Sequence, residues 1–391
     1  MIAKISPLIR LPSKTDVFDY HVPDELKNKI AQGHLVTIPW RTQKVAGVVL
    51  SLSEKVEPTK FRARPITNIL EENPVLTTDQ LKLINQFAEY YFVTPGAVAR
   101  LITPDKPKRI VKAKSRNSEL ETRNFSISKK QLPKLQEIKS KLSDKINYLQ
   151  IQDVSSFVWL IIHLTKQNPD KQILVLFPTI DLIKTVSLIV QKMCSGNMAV
   201  IYSQLSKGEY WNEYQKIVSN KAKIILSTRQ GAFLPIQGNS KIIFFESTSQ
   251  DFKQYEQHPK YDARIVAAWI ANITKSQLIY TSSSGELFNS DINKSVLPSA
   301  LQIKTSVKLI DMKTEMQKKD FSIIADSTLN SIKETIANNQ KVLIISLRQD
   351  SEEGVSAHKI QEVLTNTLKN CRVAINNPEN DLKDNFDILV S

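Results

Sequence analysis

The sequence predicts an α/β protein: a small, mostly-β N-terminal domain, a parallel α/β lobe, and part of a second lobe. Three observations predict it. From about residue 172 onward, near-continuous apolar strands alternate with helical stretches, the pattern of a parallel sheet covered on both faces. The first hundred residues instead hold short β-rich runs separated by turn residues. Between them lies a polar, basic stretch that fits neither pattern.

Residues 1–104 contain "KISPLIRL", "VFDYHV", "LVTIPW" and "AGVVLSL", punctuated by Pro12-Ser13, Pro23-Asp24 and Gln32-Gly33. A helix follows from about Thr78 to Tyr91; Thr77 or Thr78 can cap it, and Leu81, Ile84, Phe87 and Ala88 recur at helical spacing. Residues 105–126 are short of large apolar groups and read as a linker. A helix at about 128–141 opens the α/β region at 127–303. Its strands are "QILVLFP" (172–178), "MAVIYS" (198–203), "AKIILST" (222–228), "KIIFFE" (241–246) and "SQLIYTS" (276–282), with helices at 179–194, 207–219 and 261–273. A further α/β stretch, 304–391, carries "KVLIISL" (341–347), a helix at 355–369 and "FDILVS" (386–391). The last run ends at Ser391 inside strand-like sequence, which leaves an open sheet edge and keeps a truncated, non-functional fragment among the expectations.

Composition narrows the function classes. With 391 residues, 41% hydrophobic and 24% charged, the chain can bury a sizeable core. No apolar run is long enough to span a bilayer, and the N-terminus lacks the apolar core of a signal peptide. Two distant cysteines, Cys194 and Cys371, exclude a disulfide framework or a four-cysteine zinc site and fit a reducing cytoplasm. Net charge is +14. Thirteen Lys/Arg against four Asp/Glu between Lys106 and Ile146 supply nine of those charges. Nucleic acid is the favoured polyanion; a membrane surface lacks the amphipathic face or lipidation motif it needs, and a solvated tether is the alternative.

A phosphate cradle at the carboxyl ends of the strands needs glycines for close backbone approach and a lysine for charge. The chain has only nine glycines, none in a GxxxxGK[ST] pattern. His163, His258 and His358 show no metal-ligand spacing, and no metal is expected.

"KQILVLFPTIDL" (171–182), "AKIILSTRQGAFLP" (222–235) and "QDFKQYEQHPKYDAR" (250–264) resemble the first motor lobe of the primosomal protein N′ family, the PriA-type replication-restart helicases. "FDYHVP" (18–23) and "EYYFVTPGAVARLITP" (89–104) resemble that family's N-terminal 3′-DNA-binding domain. The resemblance rests on the colinear set and implies a DNA-binding domain over 1–104, a RecA-like helicase lobe over 127–303 and part of a second over 304–391. The family's cofactors are ATP and magnesium. Its Gly-Lys-Thr loop falls on "QDVSSFVW" (152–159), with Ser155 and Ser156 in the Lys and Thr places. Its Asp-Glu-Glu-His falls on Glu246, Ser247, Thr248 and Ser249, so the water-orienting acid becomes Ser247. The resemblance therefore implies no catalytic residues and a degenerate ATP site. The winged helix is replaced by the basic linker, and "DSEEGVSAHK" (350–359) stands where the zinc-binding cysteines belong.

The implied DNA-facing residues fall in two groups. For the 3′ end they are Phe18, Asp19 and Arg64, with Arg41 after Trp40. The alternative is a turn aspartate between core aromatics. For single strands they are Thr228, Arg229, Phe252, Lys253, Tyr255, Lys260, Tyr261 and Arg264, where rings and cations interleave. The alternative is an exposed loop before a helix. The resulting expectation is a DNA-binding protein of the replication-restart or primosome type, recognising forks or 3′ primer ends beside other restart proteins and lacking ATPase activity. An ATP-dependent 3′–5′ helicase with an unorthodox ATP site is the other functional expectation.

Overall fold

The computed structural model describes residues 1–9, 11, 16–54, 63–105, 107, 146–151, 153–193, 197–283, 293–297, 308–317, 322–346, 355–376 and 386–391. Almost all of the linker at 105–126, the helix at 128–141 and the first half of "DSEEGVSAHK" lie outside the described residues. Two compact units, Met1–Gln302 and Ile303–Ser391, divide the chain.

The first unit begins with a five-stranded antiparallel sheet of β1 (Ile2–Pro7), β2 (Phe18–His21), β3 (Leu35–Trp40), β4 (Gln43–Ser53) and β5 (Asn68–Ile69). The spatial order is β2-β1-β4-β3-β5. Alternation along the strands serves two cores. Val36, Ile38 and Val49 join Ala3, Ile5, Tyr20 and Val22 on one face. Leu35 and Val48 turn to the other, among residues of α1 (Thr78–Tyr90) and α2 (Pro95–Ile102). The chain passes back toward α1 by a close approach at Gly33, whose φ is +85° and where a Cβ would stand 2.0 Å from the Leu76 carbonyl oxygen. Only glycine fits there.

The α1 start carries a full capping box: the Thr77 hydroxyl accepts the Gln80 N–H at 3.2 Å, and Gln80 Oε1 accepts the Thr77 N–H at 2.9 Å. The same Gln80 side chain donates from Nε2 to the Phe233 carbonyl, 153 residues away, at 2.8 Å. The cap of one domain is thus also a bond to the next.

That next domain is a seven-stranded parallel sheet. Its strands are β6 (Ile146–Ile151), β7 (Ile173–Leu176), β8 (Met198–Ile201), β9 (Ile224–Ser227), β10 (Lys241–Phe244), β13 (Gln277–Ser282) and β14 (Asn293–Leu297). They run in the order β14-β6-β13-β10-β7-β9-β8; β11 and β12, which form a separate hairpin, are described below. Along the central strands the apolar residues divide between two faces. Ile173, Val175, Leu226 and Ile243 meet α3 (Val154–Gln167) and α4 (Ile180–Met193). Leu174, Leu176, Ile225 and Ile242 meet α5 (Lys207–Val218) and α6 (Ala263–Thr274). The second face also receives α1. Phe87 lies 5.7 Å from Phe233 and 5.9 Å from Tyr261 between ring centroids. The buried Tyr214 hydroxyl donates to the Val75 carbonyl at 2.8 Å. The N-terminal sheet and the lobe therefore share one apolar core.

The second unit has α7 (Met312–Met316), α8 (Asp326–Ala337) and α9 (Ala357–Thr367), with a parallel three-stranded sheet. Its strands β15 (Val342–Ile344), β16 (Val373–Ile375) and β17 (Ile388–Val390) run in the order β15-β17-β16. Its core gathers Ile332, Ile360, Leu364, Ile388 and Val390.

Two predictions follow from the shared core. Tyr214→Phe strips the donor from the buried Val75 carbonyl and should cost about 1–3 kcal/mol in urea unfolding; a variant as stable as the parent would show that the bond carries no weight. Burial pushes the Tyr261 and Tyr280 phenols up to about 12. Between pH 10 and 12 the folded chain keeps these protons while the unfolded chain sheds them, so stability is full below pH 10 and falls as pH rises toward 12. The melting temperature should decline above pH 10, with Tyr261→Phe softening the decline; an identical decline in the variant would count against Tyr261 as a source.

Candidate nucleic-acid interface

The N-terminal sheet gathers part of the expected 3′-end set at one end. Phe18 opens β2, Trp40 closes β3, and their rings meet edge-on with centroids 4.9 Å apart. Arg41 begins the tight turn between β3 and β4 with φ +51°, and its carbonyl accepts Arg64 Nη1 at 3.1 Å. Arg64 is held in place because its own carbonyl accepts the His21 N–H at 2.9 Å. Two rings and two exposed guanidinium groups thus converge. Burial raises the Tyr20 phenol behind them, and the Arg64 charge partly offsets that rise. Asp19 is placed differently. Alternation sends Phe18 and Tyr20 to the apolar cluster, and the exposed Asp19 leaves β2 on the other face, at the register position opposite Lys4. β2 is an edge strand of the sheet.

The second expected group sits on a small hairpin, β11 (Lys253–Gln254) paired with β12 (Tyr261–Asp262). Here the structure corrects the expected single-strand set at three positions. Phe252 is fully buried, with its ring 4.9 Å from Phe244. Tyr261 is 6% exposed and packs on Phe233 at 5.0 Å. Neither can stack a base, because each completes the core beneath the hairpin. Arg264 is turned inward: Nε and Nη2 reach the Asp262 carboxylate at 2.8 and 2.7 Å, and Nη1 donates to the Ser247 carbonyl at 2.9 Å. Tyr255 and Lys260 remain exposed, with Lys253 half-buried. At the hairpin's base the half-buried Thr228 leads from β9 to Arg229, whose Nη1 donates to the Asp251 carbonyl at 3.3 Å.

Between β6 and α3 lies the position expected to hold nucleotide phosphates. Asp153 caps α3 there: its carboxylate accepts the Ser156 N–H at 2.7 Å and the Ser156 hydroxyl at 2.9 Å. Ser155 sits half-buried in the first turn. A helix N-terminus attracts anions, and here the chain's own carboxylate already takes that place. Sequence reading missed Asp153, although an Asp ahead of an apolar helical run is a cap signal. At the end of β10, Glu246 has φ +50°, and its carboxylate accepts the Ser283 N–H at 3.0 Å. Ser247 is fully buried, and its N–H donates to the Thr281 carbonyl at 2.7 Å. Set against a magnesium–triphosphate group, these residues do not fit: they supply a capping carboxylate, two serines and a carboxylate engaged by backbone, and no cation.

The model of the PriA 3′ DNA-binding domain family matches residues 8–104, the stretch that builds most of the five-stranded sheet with α1 and α2. Replication restart protein PriA of Rickettsia felis is 24% identical over 365 residues, 88% of this chain. That of Helicobacter pylori strain J99 is 26% identical over 344 residues, 83% of this chain. Over most of its length the chain is similar to PriA proteins. It spans about half the length of these curated relatives, 54% of the first and 52% of the second. A solved structure of RecG bound to a three-way DNA junction is 12% identical and covers 68% of this chain and 36% of that one, with a TM-score of 0.40. The region that this family model matches is joined to the lobe by shared packing: besides Gln80 and Tyr214, the Tyr91 hydroxyl accepts the Asp262 N–H at 3.0 Å.

Proposed function

We propose that the chain binds DNA at forks or primer 3′ ends in replication restart, and that it does so without hydrolysing ATP. The family match over residues 8–104 carries the reading, and the convergence of Phe18, Trp40, Arg41 and Arg64 supports it. In this reading the rings stack a terminal base, Arg64 and Arg41 meet its phosphate, and Asp19 accepts a hydrogen bond from the free 3′-hydroxyl at the sheet edge. Phosphoryl transfer depends on positioned charge. The Asp153 cap and the buried Ser247 support the loss of that chemistry, because neither the triphosphate's charge nor an attacking water finds its counterpart.

Fluorescence anisotropy with forked DNA tests the 3′-end reading. A 3′-phosphate brings like charge to Asp19 where a hydroxyl donates to it. A 3′-OH fork should therefore bind about 10- to 150-fold more tightly, the worth of one charged hydrogen bond. Asp19→Ala should erase most of that difference; equal binding of the two forks by the parent would defeat the pocket. A separate measurement concerns ATP. Turnover with single-stranded DNA should stay at background, whereas a DNA-stimulated rate above about 1 s⁻¹, the low end of enzymic turnover, would favour a working motor.

A further inference from the structure

The hairpin of 253–262 keeps one exposed ring, Tyr255, once Phe252 and Tyr261 are assigned to the core. Two other exposed rings belong to the neighbouring domain. Tyr90, on the last turn of α1, is 55% exposed and meets Trp269 edge-on at 5.0 Å. Phe92, in the link between α1 and α2, is 97% exposed. Its φ is +52°, the left-handed region that a bulky residue enters only at a cost. A ring held in that conformation and presented to water does no packing work for the fold. Tyr91 lies between these two residues, and its hydroxyl holds the Asp262 N–H at the base of the hairpin that carries Lys253, Tyr255 and Lys260.

We propose that Tyr90 and Phe92 form an aromatic platform that, with the lysines of the adjoining hairpin, holds the unstacked bases of single-stranded DNA away from any 3′ end. The occupant follows from charge and shape. The hairpin that Tyr91 ties to the end of α1 carries Lys253 and the exposed Lys260, and a surface combining rings with cations suits a strand whose bases stack while its phosphates pair. This inference rests on the DNA-binding reading but uses a different surface from the 3′-end cluster.

The test uses the full chain and a circular single-stranded oligonucleotide, which has no 3′ end to engage Phe18 or Arg64. Phe92→Ala should weaken binding about 5- to 150-fold, the range for one lost base–ring stack, and Phe92→Trp should retain it. The salt dependence should stay as in the parent, because no phosphate contact is removed. Lys253→Gln with Lys260→Gln should lower it. An abasic oligonucleotide should bind parent and Phe92→Ala equally. Phe92→Gly relieves the left-handed backbone, so it should melt no lower than the parent yet bind as weakly as Phe92→Ala; that pairing separates a lost contact from a damaged fold. Equal binding of the circle by parent and Phe92→Ala, with the lysine variant weakened, would overturn the platform and leave DNA binding intact, pointing to a protein as occupant. If the unmodified chain binds neither circle nor fork, the DNA-binding reading fails as well.

Discussion

The bond from Gln80 to the Phe233 carbonyl is the constraint on which the first unit depends. Gln80 is fully buried, and its amide does two jobs: the oxygen closes the α1 capping box and the nitrogen ties α1 to the turn after β9. A buried amide with both ends satisfied fixes position and not merely proximity, because moving it strands polar groups in a low-dielectric interior. The apolar face of α1 then reaches the aromatic group around Phe87, Phe233 and Tyr261. A surface that looks divided between two domains by sequence is thus mechanically one piece. The left-handed Phe92, the Tyr91 hydroxyl and the lysine-bearing hairpin are held in relation by the same packing.

The second theme is charge turned inward. Arg264 is engaged by Asp262 and by backbone carbonyls, Glu246 by the backbone at Ser283, and the α3 N-terminus by Asp153. In each case a group able to meet a ligand instead satisfies a neighbour in the chain. These contacts make the strand ends of the lobe self-contained, whereas Arg41, Arg64 and Lys260 stay exposed.

How much of this was legible in the sequence depends on which physical signal carried it. Strands buried on both faces announced themselves: "QILVLFP", "AKIILST", "KIIFFE" and "SQLIYTS" all lie in the parallel sheet. The central helices were likewise legible, and so was α1 from its apolar spacing, with a cap expected at Thr77 or Thr78 and found at Thr77. Strands β6 and β14 were not. "INYLQI" interrupts its apolar run with Asn147 and Gln150, so periodicity could not separate it from a loop. Helix α3 was hidden because its first turn was read as a remnant phosphate loop. The aromatic residues of 252–261 misled for a different reason: composition reports that rings and cations alternate, but not which rings face inward. Burial of Phe252 and Tyr261 is a tertiary fact, decided by Phe244 and Phe233.

The separation of partners along the chain also has a temporal side. Gln80 and Phe233 lie 153 residues apart, Tyr91 and Asp262 lie 171 apart, and Val75 and Tyr214 lie 139 apart. At synthesis rates of about 5–20 residues per second, α1 would leave the ribosome roughly 8–30 s before the segment that covers its apolar face. During that interval Leu83, Ile84 and Phe87, all buried in the finished fold, have no lobe to enter. Loop-closure entropy delays such distant contacts further even after the chain is complete. The shared core that holds the first unit together therefore makes its nascent form the one most exposed to misassociation, and ties its yield in the cell to how well that early helix is shielded.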